Sequence, residues 1–398
     1  MVVFTCAKPP KSTTLRSVND SYTHILVGAG LHNGLTALAL RRHQPGARVL
    51  LIERGPRPGG NHTWCFHGVD PDPDARALLD PLVEHRWPRQ EVRFPGLERV
   101  LDTTYSGFTS ESLAAALETA FADWPGSALL CGVSATAVEA HAVTLDDGRV
   151  VTGELVIDAR GPERLAVDDA DSGYQKFYGL DVELEAPHGL THPLLMDATI
   201  PQRDGFRFLY VLPFGPRRVL VEDTRFAVTS DLDVARMRAD LLSEVARRGW
   251  RITRELRAEH GVLPMPGRGE VAPPVASPIQ AGYGGGWLHP ATGYSLPVAV
   301  RFALAVAAGP AASAPARLEA LHRDVSRRLP FMHRLNRLLF QCFAPDDMWN
   351  VFARFYKKPE SLIERFYALR STPTDRTRIL LGRPPKGVNL GRALAILA

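Results

Sequence analysis

A short apolar run that stops on a glycine pair constrains this chain more than any other feature in it. Ile25, Leu26 and Val27 read as a buried strand ending at Gly28, and Gly28, Ala29 and Gly30 lead straight into a helical pattern from about Leu31 to His43. Pro45 and Gly46 stop that pattern, and a second apolar strand, Val49 to Ile52, finishes at Glu53. Strand, helix and strand in this order predict a right-handed βαβ unit, the first piece of a doubly wound, Rossmann-like α/β sheet. In such a unit the glycine turn lets backbone N–H groups approach a pyrophosphate, and the helix start adds the positive end of its dipole. An acidic residue roughly twenty positions on then takes a ribose hydroxyl. Gly28, Ala29, Gly30, Leu31, Asn33 and Glu53 are therefore candidate cofactor-binding residues. The third glycine of the fingerprint is displaced: Asn33 stands in its place, with Gly34 one position later. A glycine turn that merely packs helix on strand is the competing reading, and Glu53 tips the balance to a nucleotide. An acidic residue there disfavours a 2′-phosphate, which leaves FAD or NAD(H).

Later segments separate those two. After the turn residues Asp146, Asp147 and Gly148, an apolar strand (Leu155, Val156, Ile157) runs into Asp158, Ala159, Arg160 and Gly161. That run resembles the second signature segment of flavoproteins built on two dinucleotide motifs. The glycine-rich stretch from Gly282 to Gly286 and on to Gly293 resembles their third, which lies along the flavin ribityl and pyrophosphate. Most such proteins carry a Gly-Asp pair there. Here Trp287, Leu288 and His289 occupy the region with no Asp, which points away from the common hydroxylase branch. Asp158, Gly161, His289, Thr292, Gly293 and Tyr294 join the candidate cofactor-binding set.

The rest of the chain is organised around this frame. Residues 1–21 lack the apolar core of a secretory signal and read as a disordered extension. Residues 22–165 form the first part of the FAD-binding domain. Residues 166–275 carry β-rich, Pro/Gly-punctuated runs (Val182 to Leu184, Arg207 to Leu212, Arg218 to Glu222) that predict a mainly antiparallel substrate domain. Residues 276–310 return to the FAD-binding domain, and 311–398 are helical. The four cysteines, Cys6, Cys65, Cys131 and Cys342, are scattered without a CxxC pair, so neither a metal site nor a disulfide framework is expected and the compartment is a reducing one, the cytoplasm. A net charge of +4 with no zinc-finger or RNA-recognition pattern gives no reason to expect nucleic acid as a partner. No run of about 18 apolar residues suggests a transmembrane helix, and nothing in the sequence sets an oligomeric state.

Five segments in order resemble bacterial lycopene β-cyclases: Val27 to Gly34, Gly59 to Trp64, Met196 to Thr199, Val221 to Thr224, and His289 to Pro297, with the similarity running from about Tyr22 to Pro385. Asn33 and His289, departures from the general flavoprotein pattern, fit this family. The resemblance implies FAD in its reduced form, NAD(P)H as the source of its electrons, and lycopene or a related acyclic carotenoid as substrate. It also implies a ring closure with no net oxidation, giving γ- and β-carotene. A ψ end group has no polar handle. Its ring closes when a proton adds to the terminal double bond, an internal double bond attacks the cation, and a neighbouring proton leaves. Such chemistry needs a sequestered acid in a dry, apolar cavity, where burial keeps a carboxyl protonated. Glu222 and Asp223, following the apolar run Val219, Leu220 and Val221, are the candidate catalytic residues. The resemblance gives Glu222 the acid or cation-stabilising role. A strand-end ion pair with Arg217, Arg218 or Arg225 is the plainer alternative. His62 and Trp64 are candidates to line the flavin or the substrate tunnel.

Between Phe331 and Tyr367 the chain is rich in aromatics and bases: Phe331, Leu335, Leu338, Leu339, Phe340 and Phe343 recur at helical spacing, with His333, Arg334 and Arg337 interleaved. This pattern suggests a peripheral membrane-docking face, since a polyene must be drawn from lipid; an amphipathic helix packed on its own domain is the alternative. Two other functions compete with the cyclase. One is a flavin-dependent monooxygenase or desaturase on a hydrophobic polyene, and the other a non-catalytic carotenoid carrier on the same fold.

Overall fold

The structure is a computed structural model that describes residues 21–68, 72–161, 171–271, 273 and 278–398. The expected extension therefore lies, apart from Ser21, outside the described residues.

The first strand, Ser21–Val27, is central to a sheet whose parallel members run in the order Ala128–Cys131, Val49–Glu53, Ser21–Val27, Val150–Asp158. Ile279–Gln280 adds a short parallel strand beside the end of Val150–Asp158. The Asp-Gly signal is a hairpin: Ala142–Leu145 pairs antiparallel with the start of Val150–Asp158 and also holds Ala135–Val138. Strands flanked by helices are buried on both faces, which is why Ile25, Leu26, Leu50 and Leu51 form continuous apolar runs rather than alternating ones. Two helices pack together on this sheet, Leu31–His43 and Leu296–Ala307. The second is apolar nearly all round and accordingly buried from Leu296 to Val300. In the first, Gly34 has Leu113 side-chain atoms only 3.2 Å from where a Cβ would sit, so it lets the helix Ser110–Ala122 close in.

The second sheet has seven strands in the order Ile252–Met265, Gly173–Leu184, Arg218–Ala227, Phe206–Pro213, Leu194–Asp197, Gln90–Phe94, Leu97–Leu101. All neighbours are antiparallel except Leu194–Asp197 beside Gln90–Phe94. The sequence division at residue 166 is thus not the division of the sheets. A hairpin from 90–101, inside the first segment, completes the second sheet, because its apolar residues Val92 and Phe94 are buried in the core under that sheet. A small third sheet, Thr63–His67, Tyr105–Thr109 and His85–Trp87, bridges the two.

Side chains of the second sheet sort by parity. Tyr178, Leu180, Leu209, Val211, Val219 and Val221 meet the helix Val234–Arg247 on one face. Phe206, Phe208, Leu220 and Phe226 face the other way. On the helix face the apolar contacts give out towards the end of the strands, and charge replaces them. Arg207 Nη2 lies 2.6 Å from Asp223 Oδ2 and its Nη1 3.1 Å from Glu244, while Arg225 Nη2 lies 3.1 Å from Asp223 and 2.6 Å from Asp240. Asp223 is fully buried between two guanidinium groups. Removing it leaves both without their central partner in a site water cannot reach. Asp223→Ala should accordingly lose about 3–5 kcal/mol of stability, read as a fall in urea midpoint with no change in slope; a midpoint within error of wild type would show that the network contributes nothing.

Candidate active site

The carboxyl ends of three parallel strands meet at the glycine turn. Gly28 N–H donates to Ile52 O at 2.8 Å and Ala159 N–H to Val27 O at 2.9 Å, so the turn is tied to both neighbours. Gly28 has φ +86°, and a Cβ there would lie 3.0 Å from Ala159 O; only glycine fits. Gly30 caps the helix, and a Cβ on it would meet nothing within 4 Å, so the space before the helix start is open. Leu31 begins the helix and is buried. Glu53 Oε2 accepts from Ala29 N–H at 2.8 Å and Oε1 from Gly55 N–H at 2.7 Å, which holds the carboxylate beside the turn. Asn33 explains the missing third glycine. Its Nδ2 donates to Val27 O at 3.0 Å and Ile157 O at 3.4 Å, strapping helix to both strands where a glycine would only permit close packing. Asp158 is gripped by its neighbour, Arg160 Nη2 lying 2.8 Å from Oδ2.

The late glycine-rich loop bends at Gly282, Gly286 and Gly293, all with positive φ. His289 braces it. Its Nδ1 accepts from Ala291 N–H at 3.2 Å, which fixes the proton on Nε2, and Nε2 donates to Phe366 O at 2.9 Å. Burial pushes the imidazole down to about 4, so it is neutral. The ring is enclosed by protein, and the loop lines open space at Tyr283 and from Ala291 through Thr292, Gly293 and Tyr294.

They open onto a cavity of about 780 Å³ that passes from the loop, beside Gly161, along the second sheet. Its walls are mostly apolar and aromatic, with Trp64, Phe177, Phe208 and Phe226 among them. His62 lines it too, its imidazole lowered by burial and by the Arg257 charge. The aromatic and leucine-rich stretch from Phe331 onward is inward-facing: Phe331 and Phe340 are buried, and Leu335, Leu338, Leu339 and Phe343 line the cavity. This corrects the expectation that the stretch forms a docking face. Exposed large apolar residues are scattered over Val100, Val150, Val228 and Leu256, with a group near the end at Leu381 (65% exposed), Leu390 (56%), Leu394 (67%) and Leu397, of which the last three also line the cavity.

Parity decides the fate of the adjacent acids. Glu222, Thr224 and Phe226 point into the cavity. Asp223 points the opposite way into the ion network, which removes it from the catalytic candidates. Thr224 Oγ1 donates to Glu222 Oε1 at 2.5 Å. Burial, reinforced by the nearby Glu259 charge, pushes the Glu222 carboxyl up to about 8, so it holds its proton at neutral pH. Glu259, on the strand Ile252–Met265, lines the same cavity and is likewise raised by burial, against the pull of Arg257. Sequence reading missed it. The signal available was alternation with Gly261 and Leu263, masked by the neighbouring charges of Arg254, Glu255 and Arg257 in the same strand.

With this geometry in view, the matches to known proteins are informative. The family model described as "Lycopene cyclase protein" covers residues 24–393. Lycopene beta-cyclase of Pantoea ananas is 41% identical over 92% of this chain and 95% of its own length, and that of Pseudescherichia vulneris 42% over 93% and 95%. The chain belongs to the lycopene cyclase family. Solved structures similar to this family member include the geranylgeranyl bacteriochlorophyll reductase-like protein of Thermoplasma acidophilum (TM-score 0.63, 12% identity, 95% of this chain and 99% of that one). Another is the p-nitrophenol 4-monooxygenase of Pseudomonas putida (TM-score 0.59, 14% identity, 88% and 99%). The cyclase therefore has the fold of flavin-dependent reductases and monooxygenases, with a mainly antiparallel second sheet and helices after it.

Because the Glu222 carboxyl is raised in the folded protein from its ordinary 4.5 to about 8, the stability it permits is full below pH 4.5 and is lost as pH rises to 8. Glu222→Gln should remove that slope, which approaches about 1.4 kcal/mol per pH unit. Urea unfolding of both proteins at pH 5 and pH 8 should show the variant gaining on wild type at the higher pH; parallel behaviour would mean Glu222 ionises normally.

Proposed function

We propose that this chain is a lycopene β-cyclase in which Glu222 is the proton donor. The observation that carries the assignment is a buried, proton-bearing carboxyl on the wall of an apolar cavity that begins at the dinucleotide cleft. FAD is the dinucleotide the cleft fits. Gly28 leaves no Cβ against Ala159, the space before Gly30 is open, and the Glu53 carboxylate beside the turn suits a ribose and repels a 2′-phosphate. Gly28, Ala29, Gly30 and Leu31 would take the pyrophosphate, Gly161 and Thr292 to Tyr294 the flavin side, with Asn33, Asp158 and His289 holding the frame. Reduced by NAD(P)H, bound FAD supplies electron density that stabilises positive charge without being consumed.

The protein's own groups account for the rest. Glu222 delivers its proton to the terminal double bond of a ψ end, and Thr224 remains to hydrogen-bond the carboxylate left behind. Phe208, Tyr210 and Phe226 lie on the same wall, where aromatic quadrupoles favour a developing cation. Apolar lining keeps out the water that would trap that cation as an alcohol.

Substrate entry follows from the cavity's exposed end. Among the described residues no helix is long and apolar enough to cross a membrane. From Arg376 to Ala398 the chain carries five bases (Arg376, Arg378, Arg383, Lys386, Arg392) and no acid, around Leu381, Leu390, Leu394 and Leu397. Exposed leucines among bases suit peripheral docking on an anionic bilayer from the cytoplasmic side, with the cavity mouth against the lipid.

In a lycopene-accumulating bacterial host the wild type should yield γ- and β-carotene, and Glu222→Gln should lower cyclisation by about 10²-fold or more. Red lycopene persisting with folded, flavin-loaded wild type, or NAD(P)H consumed in step with substrate, would move the assignment to a flavin-dependent oxidoreductase. On anionic vesicles, wild type should float with the lipid and Leu390→Glu/Leu394→Glu should stay behind; equal flotation of the two would place the docking face elsewhere.

A further inference from the structure

The carbon that gains the proton in this ring closure and the carbon that loses one are both bonded to the same ring atom, about 2.5 Å apart. An acid and a base that serve one ring must therefore be neighbours. The second sheet holds such a neighbour for Glu222. Gly179, in the strand Gly173–Leu184, is register-paired with Glu222 on one side and with Glu259 on the other. Residues directly opposite across a sheet share a face. The absent side chain at Gly179 lets both acids lean over it: a Cβ there would lie 3.4 Å from Glu222 Cβ and 3.2 Å from Glu259 Cγ. Both carboxyls line the cavity. Glu259 is only 5% exposed; the Thr63 backbone hydrogen-bonds its carboxyl, yet among the described residues its Oε2 accepts no hydrogen bond, with Arg257 Nη1 3.4 Å away. A buried carboxylate oxygen left without a hydrogen bond is costly unless something arrives to use it.

We propose that Glu259 is the base of the reaction: Glu222 and Glu259, joined across Gly179, hold one proton between them, the first giving it and the second taking it back. The proposal rests on the cyclase reading above. Its balance is closed. Glu222 as the acid transfers a proton to the terminal double bond and becomes a carboxylate. The internal double bond forms the new carbon–carbon bond and moves the positive charge along the chain. Glu259 as the carboxylate removes the proton from the ring-joining carbon, which sets the β double bond. Passage of that proton from Glu259 to Glu222 restores the starting state, with nothing oxidised or reduced. Burial raises both groups, and the pair of like charges disfavours double ionisation, which supports a single shared proton at neutral pH. Arg257, near Glu259 only, favours the ionised form on that partner.

The test uses the full-length, flavin-loaded protein with lycopene in vesicles and reductant present, comparing wild type, Glu222→Gln and Glu259→Gln by chromatography and mass spectrometry. Loss of Glu259 should cut β-ring formation about 10²-fold and shift the residual product to rings with a displaced double bond or a hydroxyl, the marks of a cation formed without its base. Loss of Glu222 should leave lycopene untouched, with no such by-products. Glu259→Gln that makes β-rings alone at the wild-type rate overturns the proposal while leaving the cyclase reading intact. Wild type that leaves lycopene unchanged overturns both. A check independent of any variant's folding uses wild type with lycopene deuterated at the ring-joining carbon. Label recovered at the newly protonated carbon of a later-closed ring supports the shared proton, and complete washout into solvent overturns it.

Discussion

Parity along the strand Arg218–Ala227 is the constraint on which the rest of the site depends. Successive residues of one strand are sent to two environments that treat charge in opposite ways. On one face Asp223 meets Arg207 and Arg225 and is a fixed anion in a paired network beneath a helix. On the other, Glu222 meets Thr224, a second carboxyl and aromatic walls, and among the described residues no cation pairs with it. The same chemical group is thus a structural ion at one position and a proton reservoir at the next. A slip of one residue in the register with Gly173–Leu184 would exchange the two roles, burying an unpaired charge network in the cavity. The ion network under the helix is consistent with holding the strands in place, since the observed pairing sets Arg207 opposite Arg225 with Asp223 between their guanidinium groups.

The parts of the fold that were legible in the sequence are those specified locally. The turn at Gly28, the helix after it, Glu53 and the Asp-Gly hairpin are each encoded within a few residues, and each was found where expected. What escaped was specified by pairing between distant segments. Glu222 and Asp223 look equivalent as neighbours in the chain and are separated only when a strand gives them faces. Glu259 is 37 positions from Glu222 in sequence and is brought to it by Gly179, a residue with no side chain to attract notice. His289 was expected to touch a cofactor, but its ring is buried away from the cavity, because which way a ring turns depends on carbonyls such as that of Phe366, from a helix far along the chain. The aromatic stretch after Phe331 has the composition of a lipid-facing surface, and composition does not say whether the oily partner is a bilayer or the lining of a cavity.

The cavity joins features that belong to separate sheets. Thr292 to Tyr294 come from the dinucleotide side, Glu222 and Glu259 from the second sheet, and Trp64 from the small bridging sheet. An electron-rich group bound at the first would face an acid on the second across apolar space, the arrangement that a carbocation reaction needs and that a hydride or oxygen transfer does not. The fold shared with monooxygenases and reductases leaves the chemistry to be set by the wall, and under the proposed function a proton-bearing carboxyl there is what suits this member to a non-redox rearrangement.

The hairpin 90–101 has a consequence for how the molecule is made. It is synthesised early, as part of the first segment, yet its neighbour in the second sheet is Leu194–Asp197, about a hundred residues later. That joint is parallel, so no tight turn can form it locally. The nascent hairpin must wait with an open edge while the intervening chain emerges, a delay in which unpaired strands invite wrong partners. Neither half of this protein is thus a self-sufficient module, and shuffling the second sheet into another flavoprotein would carry off a surface that the first segment was built to complete.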